Sequence, residues 1–150
     1  MKRFKWTKAN AVFLPEVDAE HRNLFNLADE VRAAVVAKAD TAQVPETLRA
    51  LIAAIEDHFS HEERQMREAH YPSFAWHKQQ HDTLRKRMSQ SVPRIESGDG
   101  EAAILLLEFF SGWLKDHTAL SDRMMGAYLR NYQRQAPIPK VRGSVRAASA

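Results

Sequence analysis

The 150-residue chain is predicted to fold as an all-α protein, an antiparallel up-down-up-down four-helix bundle preceded by an N-terminal arm. Three observations predict it. Four segments carry apolar residues at steps of three or four, short breaks rich in Pro, Gly or Asp separate them, and no strand-like alternation, internal repeat or glycine-rich phosphate loop competes. The length suits one domain, predicted as residues 1–131 for the bundle and 132–150 for a basic tail.

Pro15 is placed to open the first helix, with Glu16 and Asp18 near the positive end of its dipole. That helix runs to about Lys38 with an inward stripe of Val17, His21, Leu24, Ala28, Val31 and Val35. After a break at residues 39–45, the second helix follows to about Ala69, with Leu48, Leu51, Ile55, His58, Glu62, Met66 and Ala69 facing inward. His70, Tyr71 and Pro72 turn the chain, and Pro72 is placed to open the third helix. Its stripe is Phe74, His77, His81, Leu84, Met88 and Val92, and Pro93 is expected to end or kink it. Ser97, Gly98, Asp99 and Gly100 form a turn signal, with Asp99 as candidate cap of the fourth helix. That helix reaches about Asn131, its apolar side including Ala103, Leu106, Phe110, Trp113, Leu114, His117, Met124 and Tyr128.

Composition narrows the chemistry. The formal charge is +3, but residues 130–150 hold five basic residues and no acid, leaving −2 for residues 1–129. The tail, with Pro137, Pro139, Gly143 and a Ser/Ala end, is expected to be solvated and disordered rather than a nucleic-acid or lipid-binding arm. The longest strongly apolar run, residues 102–107, is far below the ~20 residues of a membrane span, and Lys2, Arg3, Lys5 and Lys8 lead into no signal-peptide core. A cytoplasmic monomer is the expectation. Without cysteine, any metal must be held by nitrogen and oxygen.

The apolar stripes themselves are interrupted by His21, by His58 and Glu62, by His77 and His81, and by His117. An ionised Glu62 left unpaired in such a stripe costs several kcal/mol, and no Arg or Lys stands at an interior position to pair it. A lone core histidine is ordinarily just a satisfied side chain. Here all four helices contribute near their middles, where antiparallel packing brings the contributions to one level, and the i, i+4 pairs stand about 6 Å apart along one face. A metal centre is the economical solution. His61, His70, Asp57, Glu63 and Glu68 are expected on the wet face, and Met66, Met88, Met124 and Met125 in the core.

With Asp122 counted, two octahedral metals would have five imidazoles, two bridging carboxylates and one bridging oxo or hydroxo group, which fill all positions but one. Such coordination suits iron best, with manganese, cobalt or zinc as lesser fits. Paired Glu-x-x-His motifs, the mark of ferritin-like oxidases, do not occur here. Spacing alone does not select Asp122, since residues five apart on a regular helix diverge by about 140°. A flanking reach or a local π-bulge would be needed.

The His-Phe-x-x-Glu-Glu-x-x-Met run at 58–66, Tyr-Pro at 71–72, His-x-x-x-His at 77–81, and Trp-Leu-x-x-His at 113–117 with Asp122 resemble the hemerythrins, specifically the bacterial single-domain type. Trp6 and the Asp-x-x-His of Asp18 and His21 agree, and the resemblance spans about residues 6–129. It implies two iron ions (Fe2+/Fe3+) joined by an oxo or hydroxo bridge, one held by His77, His81 and His117 and the other by His21 and His58, with Glu62 and Asp122 shared. It also implies reversible dioxygen binding at the second iron, for storage, transport or delivery to an oxygen-consuming partner. Thr118, where the family usually has a bulky aliphatic, and Leu114 are the candidate residues of the oxygen pocket; Met125 stands where an aromatic is common. The alternatives are an oxygen or redox sensor acting through a partner and a di-iron enzyme handling peroxide or nitric oxide.

Overall fold

The computed structural model describes residues 1–38 and 42–135. After a 3-10 turn at Lys8–Asn10, the helices are α1 (Pro15–Val36), α2 (Gln43–Glu68), α3 (Phe74–Glu96) and α4 (Gly100–Asp116); a π-helical segment, His117–Asp122, joins α4 to α5 (Arg123–Gln135). The last three pieces form one rod, so four rods make the bundle, α1 and α3 each packing against both α2 and the α4 rod. The described residues contain no strand, and none of their helices is long and apolar enough to cross a membrane. The fourth rod runs to Gln135 rather than stopping near Asn131; most of the expected tail, residues 136–150, lies outside the described residues.

Local chemistry sets the ends. Pro15 is the first residue of α1, and Asp99 caps α4 by accepting from the Ala102 N–H at 3.1 Å. Pro72 lies in the turn before α3, which begins at Phe74 with Ser73 as its cap. Pro93 does not end α3, one of the two outcomes expected of it. It falls in the last turn on the exposed side, where the one backbone bond that proline removes can be replaced by solvent, and the helix continues to Glu96.

Two apolar clusters sandwich the polar centre of the bundle. The larger includes Leu24, Leu51, Ile55, Phe59, Leu84, Leu106, Phe110 and Leu114; the smaller joins Val12, Leu14 and Val17 to Met66, Tyr71, Met125 and Leu129. The arm closes the second cluster. Asp18, expected near the positive end of the α1 dipole, is also buried and accepts the N–H groups of Val12 at 2.8 Å and Phe13 at 3.2 Å. Arg123 donates to the carbonyls of Ala9 and Ala11, and Arg130 to that of Val12.

Met125 and Leu129 face this cluster, whereas Met124, expected in the core, is 46% exposed. The π segment is the reason. Its wider turn advances the chain by one residue relative to a regular helix, so the inward stripe of α5 falls one position later than continuous 3.6-residue periodicity predicts.

Gly126 permits the arm to approach: a Cβ there would lie 2.7 Å from the Val12 carbonyl oxygen and 3.3 Å from the Val12 Cβ. Backbone oxygen cannot step aside as a flexible side chain can, so the clash outweighs the ~1 kcal/mol that alanine gains over glycine in a helix. Gly126→Ala is expected to destabilise the protein by about 1–2 kcal/mol and to speed amide exchange at Val12 and Phe13, measured by denaturation and hydrogen exchange.

Candidate metal centre

Seven side chains named from the sequence converge at the middle of the bundle. His21 comes from α1, His58 and Glu62 from α2, His77 and His81 from α3, and His117 and Asp122 from the two ends of the π segment. All seven are buried, five of them with no exposed surface at all: His21, Glu62, His77, His81 and Asp122. The π segment resolves the spacing conflict, because its i→i+5 bonding brings residues five apart to neighbouring turns of one face.

The carboxylates divide the cluster in two. Glu62 Oε1 lies 3.2 Å from His58 Nε2 and 3.7 Å from His21 Nε2, while its Oε2 lies 3.2 Å from His81 Nε2 and 3.4 Å from His77 Nε2. Asp122 repeats the division: Oδ2 is 3.2 Å from His21 Nε2, and Oδ1 is 3.0 Å from His117 Nε2 and 3.2 Å from His77 Nε2. One donor group is therefore His21, His58 and a single oxygen from each carboxylate. The other is His77, His81, His117 and the two remaining oxygens, and within each group the donor atoms lie inside 4.8 Å of one another.

Despite these short separations, both oxygens of Glu62, both of Asp122 and both ring nitrogens of His77 lack a hydrogen-bond partner. Their lone pairs face common gaps rather than one another's N–H groups. Two buried carboxylates with nothing aligned to satisfy them are a heavy penalty unless cations fill those gaps. The donor set fits metal ions on this ground.

Three of the imidazole rings are held from behind. Glu20 accepts from His58 Nδ1 at 2.8 Å, Glu63 from His81 Nδ1 at 2.9 Å, and the Gln80 side-chain oxygen from His117 Nδ1 at 2.8 Å. Phe59 stacks on His81 with ring centroids 3.7 Å apart, and Trp113 on His117 at 4.3 Å. Such partners fix the ring orientation and turn Nε2 toward the shared carboxylates, where it could hold a metal. Glu63 thus corrects the expectation of a wet-face residue: it is buried, and Arg85 grips it at 2.8 Å from the solvent side. His61 is likewise no free surface residue, since its Nδ1 donates to the other oxygen of Glu20 at 2.6 Å. His70 is exposed at the end of α2, as expected. Glu20, Gln80 and Arg85 went unseen in the sequence. The only available signal was helical adjacency, Glu20 beside His21 and Arg85 four residues after His81.

Of the two candidate oxygen-pocket residues, Leu114 lines a narrow space against His21, His58 and His117, together with Leu24, Ile55 and Phe110. Thr118 does not line it. Its buried hydroxyl turns back on the helix and donates to the Leu114 carbonyl at 2.8 Å.

In the absence of metal, protons are the only cations available to the pocket. Burial opposes a charge on each imidazole, but the facing carboxylates prevail: Asp122 and Glu62 lift His21 to about 9, Glu62 and Glu20 lift His58 to about 10, and Asp122 and Glu62 lift His77 to about 9. Burial also opposes ionisation of Glu62 and Asp122, yet the surrounding histidines hold both well below the ordinary carboxylate range. For His117, burial dominates and lowers the value.

The fold and this cage define a helical-bundle protein with a polar, metal-fitting core. Residues 12–129 match the family model described as the hemerythrin HHE cation binding domain. A bacteriohemerythrin of Aquifex aeolicus is 35% identical over 121 residues, covering 79% of this chain and 88% of that protein. A myohemerythrin of Theromyzon tessulatum is 32% identical over 119 residues, covering 79% and 88%, and a bacteriohemerythrin of Methylococcus capsulatus is 26% identical over 130 residues, covering 86% and 98%. The chain belongs to the hemerythrin family.

Two pH effects follow. Raised histidine values stabilise the metal-free fold fully below the unfolded value of 6.5, and that contribution is lost as pH rises through about 9 to 10. The depressed values of Glu62 and Asp122 act from the other side, their contribution being lost as pH falls below the carboxylate range. Thermal melts of the metal-free protein should therefore show a lower Tm at pH 10 and at pH 3 than at pH 6. Because ligating imidazoles must be neutral, zinc binding at pH 7 should release about three protons, read with an indicator dye in weak buffer.

Proposed function

We propose that the chain binds dioxygen reversibly at two iron ions held by His21, His58, Glu62, His77, His81, His117 and Asp122. The observation that carries this reading is the division of each carboxylate, one oxygen turned to the histidine pair and the other to the histidine trio. A single ion has no use for donors arranged around two gaps. Family membership and the relatives named bacteriohemerythrin support the same conclusion. An all-nitrogen-and-oxygen donor set that includes five imidazoles suits iron among the available metals. When bound, a ferrous pair supplies the electrons and the open coordination position that reversible dioxygen binding needs.

The protein's own groups bias the site toward holding a ligand rather than transforming one. His21 and His58 with the two shared oxygens give the pair side four donors, against five on the trio side, so the pair side is the one left short of ligands. That side meets a closely packed apolar wall of Leu24, Ile55, Phe59, Phe110, Trp113 and Leu114, which leaves no room for water, so a small apolar molecule reaches the pair side only as these side chains give way. Apart from the ligand set, no acid or base lines it. Glu20, Glu63 and Gln80 keep the imidazole rings from rotating as a ligand arrives and leaves. Storage or delivery to an oxygen-consuming partner is the physiological role this chemistry suits.

Anaerobic loading with ferrous iron is expected to give about two irons per chain, with an optical band that appears under oxygen and vanishes under argon. His58→Ala should lose iron preferentially from the pair side and abolish oxygen binding. One iron per chain in the unsubstituted protein, or oxygen exposure that only oxidises it irreversibly, would overturn the reading.

A further inference from the structure

Three spaces inside the molecule share walls. An open groove of about 500 Å³ lies between α2 and α3, floored by Ile52, Ala53, Met88 and Val92 and rimmed by Arg49, Glu56 and Arg85. Beneath it, in the core, is a cavity of about 10 Å³ bounded by Ile52 and Met88 on the groove side and by Ile55 and Phe110 on the other, with Leu84 and Leu106 beside them. Ile55 and Phe110 are in turn walls of the narrow space that touches His21 and His58. Each space is thus separated from the next by side chains common to both.

From this continuity we infer that dioxygen reaches the site through the bundle core, from the α2/α3 groove past Met88 and Ile55, an inference that rests on the oxygen-binding reading above. The middle cavity is at the size limit for one water-sized sphere, and its lining is wholly apolar. Water entering it would surrender its hydrogen bonds and find none in return, whereas a diatomic gas has none to surrender. Met88, 5% exposed with three rotatable side-chain bonds, can swing from the mouth more readily than a branched residue. Ile55, 1% exposed and β-branched, is the stiffer inner constriction. On the polar flanks the rings are backed by Glu20, Glu63 and Gln80, each bonded onward to His61, Arg85 or Ser121, so the apolar flank is the one where side chains can give way to a gas without breaking hydrogen bonds.

The test uses the iron-loaded full chain under xenon pressure, followed by stopped-flow measurement of dioxygen association and dissociation. Xenon is expected in the core, perturbing the methyl and ring signals of Ile55, Leu84 and Phe110. Ile55→Phe should exclude it and slow association and dissociation alike by about tenfold, and Met88→Phe, away from the site, should slow both and leave their ratio unchanged, as a raised barrier without altered end states requires. Ile55→Ala should speed both. Met88→Phe serves the same purpose at the outer step if Ile55→Phe does not fold, and exposed Ile104→Ala should change neither rate. Absence of xenon from the core, or rates indifferent to Ile55 and Met88, overturns the route. Xenon seated in the core of a protein that takes up no dioxygen overturns the oxygen reading and leaves the passage standing.

Discussion

Two carboxylates buried with no aligned partner dominate this structure. Glu62 and Asp122 sit at the centre of a bundle whose interior is mostly hydrocarbon and imidazole, and no lysine or arginine among the described residues pairs with either. Such groups are tolerated only where something positive meets them, first protons and then metal. The helix placements answer that demand, since each of the four rods brings at least one nitrogen to face those four oxygens. Apolar clusters above and below keep water from offering a cheaper solution.

The π segment is the backbone feature on which the arrangement turns. In a regular helix His117 and Asp122 would diverge, and Glu62 would be the only shared carboxylate; the wider turn brings both residues into the cage. The same extra residue resets α5, turning Met125 and Leu129 toward the arm and Met124 to solvent. One local irregularity therefore completes the donor set and seats the N-terminal arm through Arg123, Arg130 and the close approach at Gly126.

Around the cage, division of labour is visible in the chemistry of each flank. Carboxylates and an amide stand behind three imidazoles, two aromatic rings stack on the trio side, and aliphatic side chains face the pair side. The polar flank holds orientation; the greasy flank controls what comes near. Arg85 joins the two concerns, since it anchors Glu63 and lies over the Phe59 ring that stacks on His81.

Much of this was legible in the chain alone. The helix number, the order of the turns and six of the seven cage residues follow from 3.6-residue periodicity interrupted by His and Glu, because a local spacing rule acts within each helix independently of its neighbours. Asp122 needed the family resemblance, since its spacing from His117 contradicts a regular helix. Three matters were decided only in the folded molecule: that Glu63 is buried against His81, that Glu20 and Gln80 back their rings, and that Thr118 bonds to its own helix while Leu114 faces the site. Each depends on the rotation and depth at which one rod meets another. Periodicity fixes which face of a helix turns inward, but only the packing of all four fixes which atoms on that face touch.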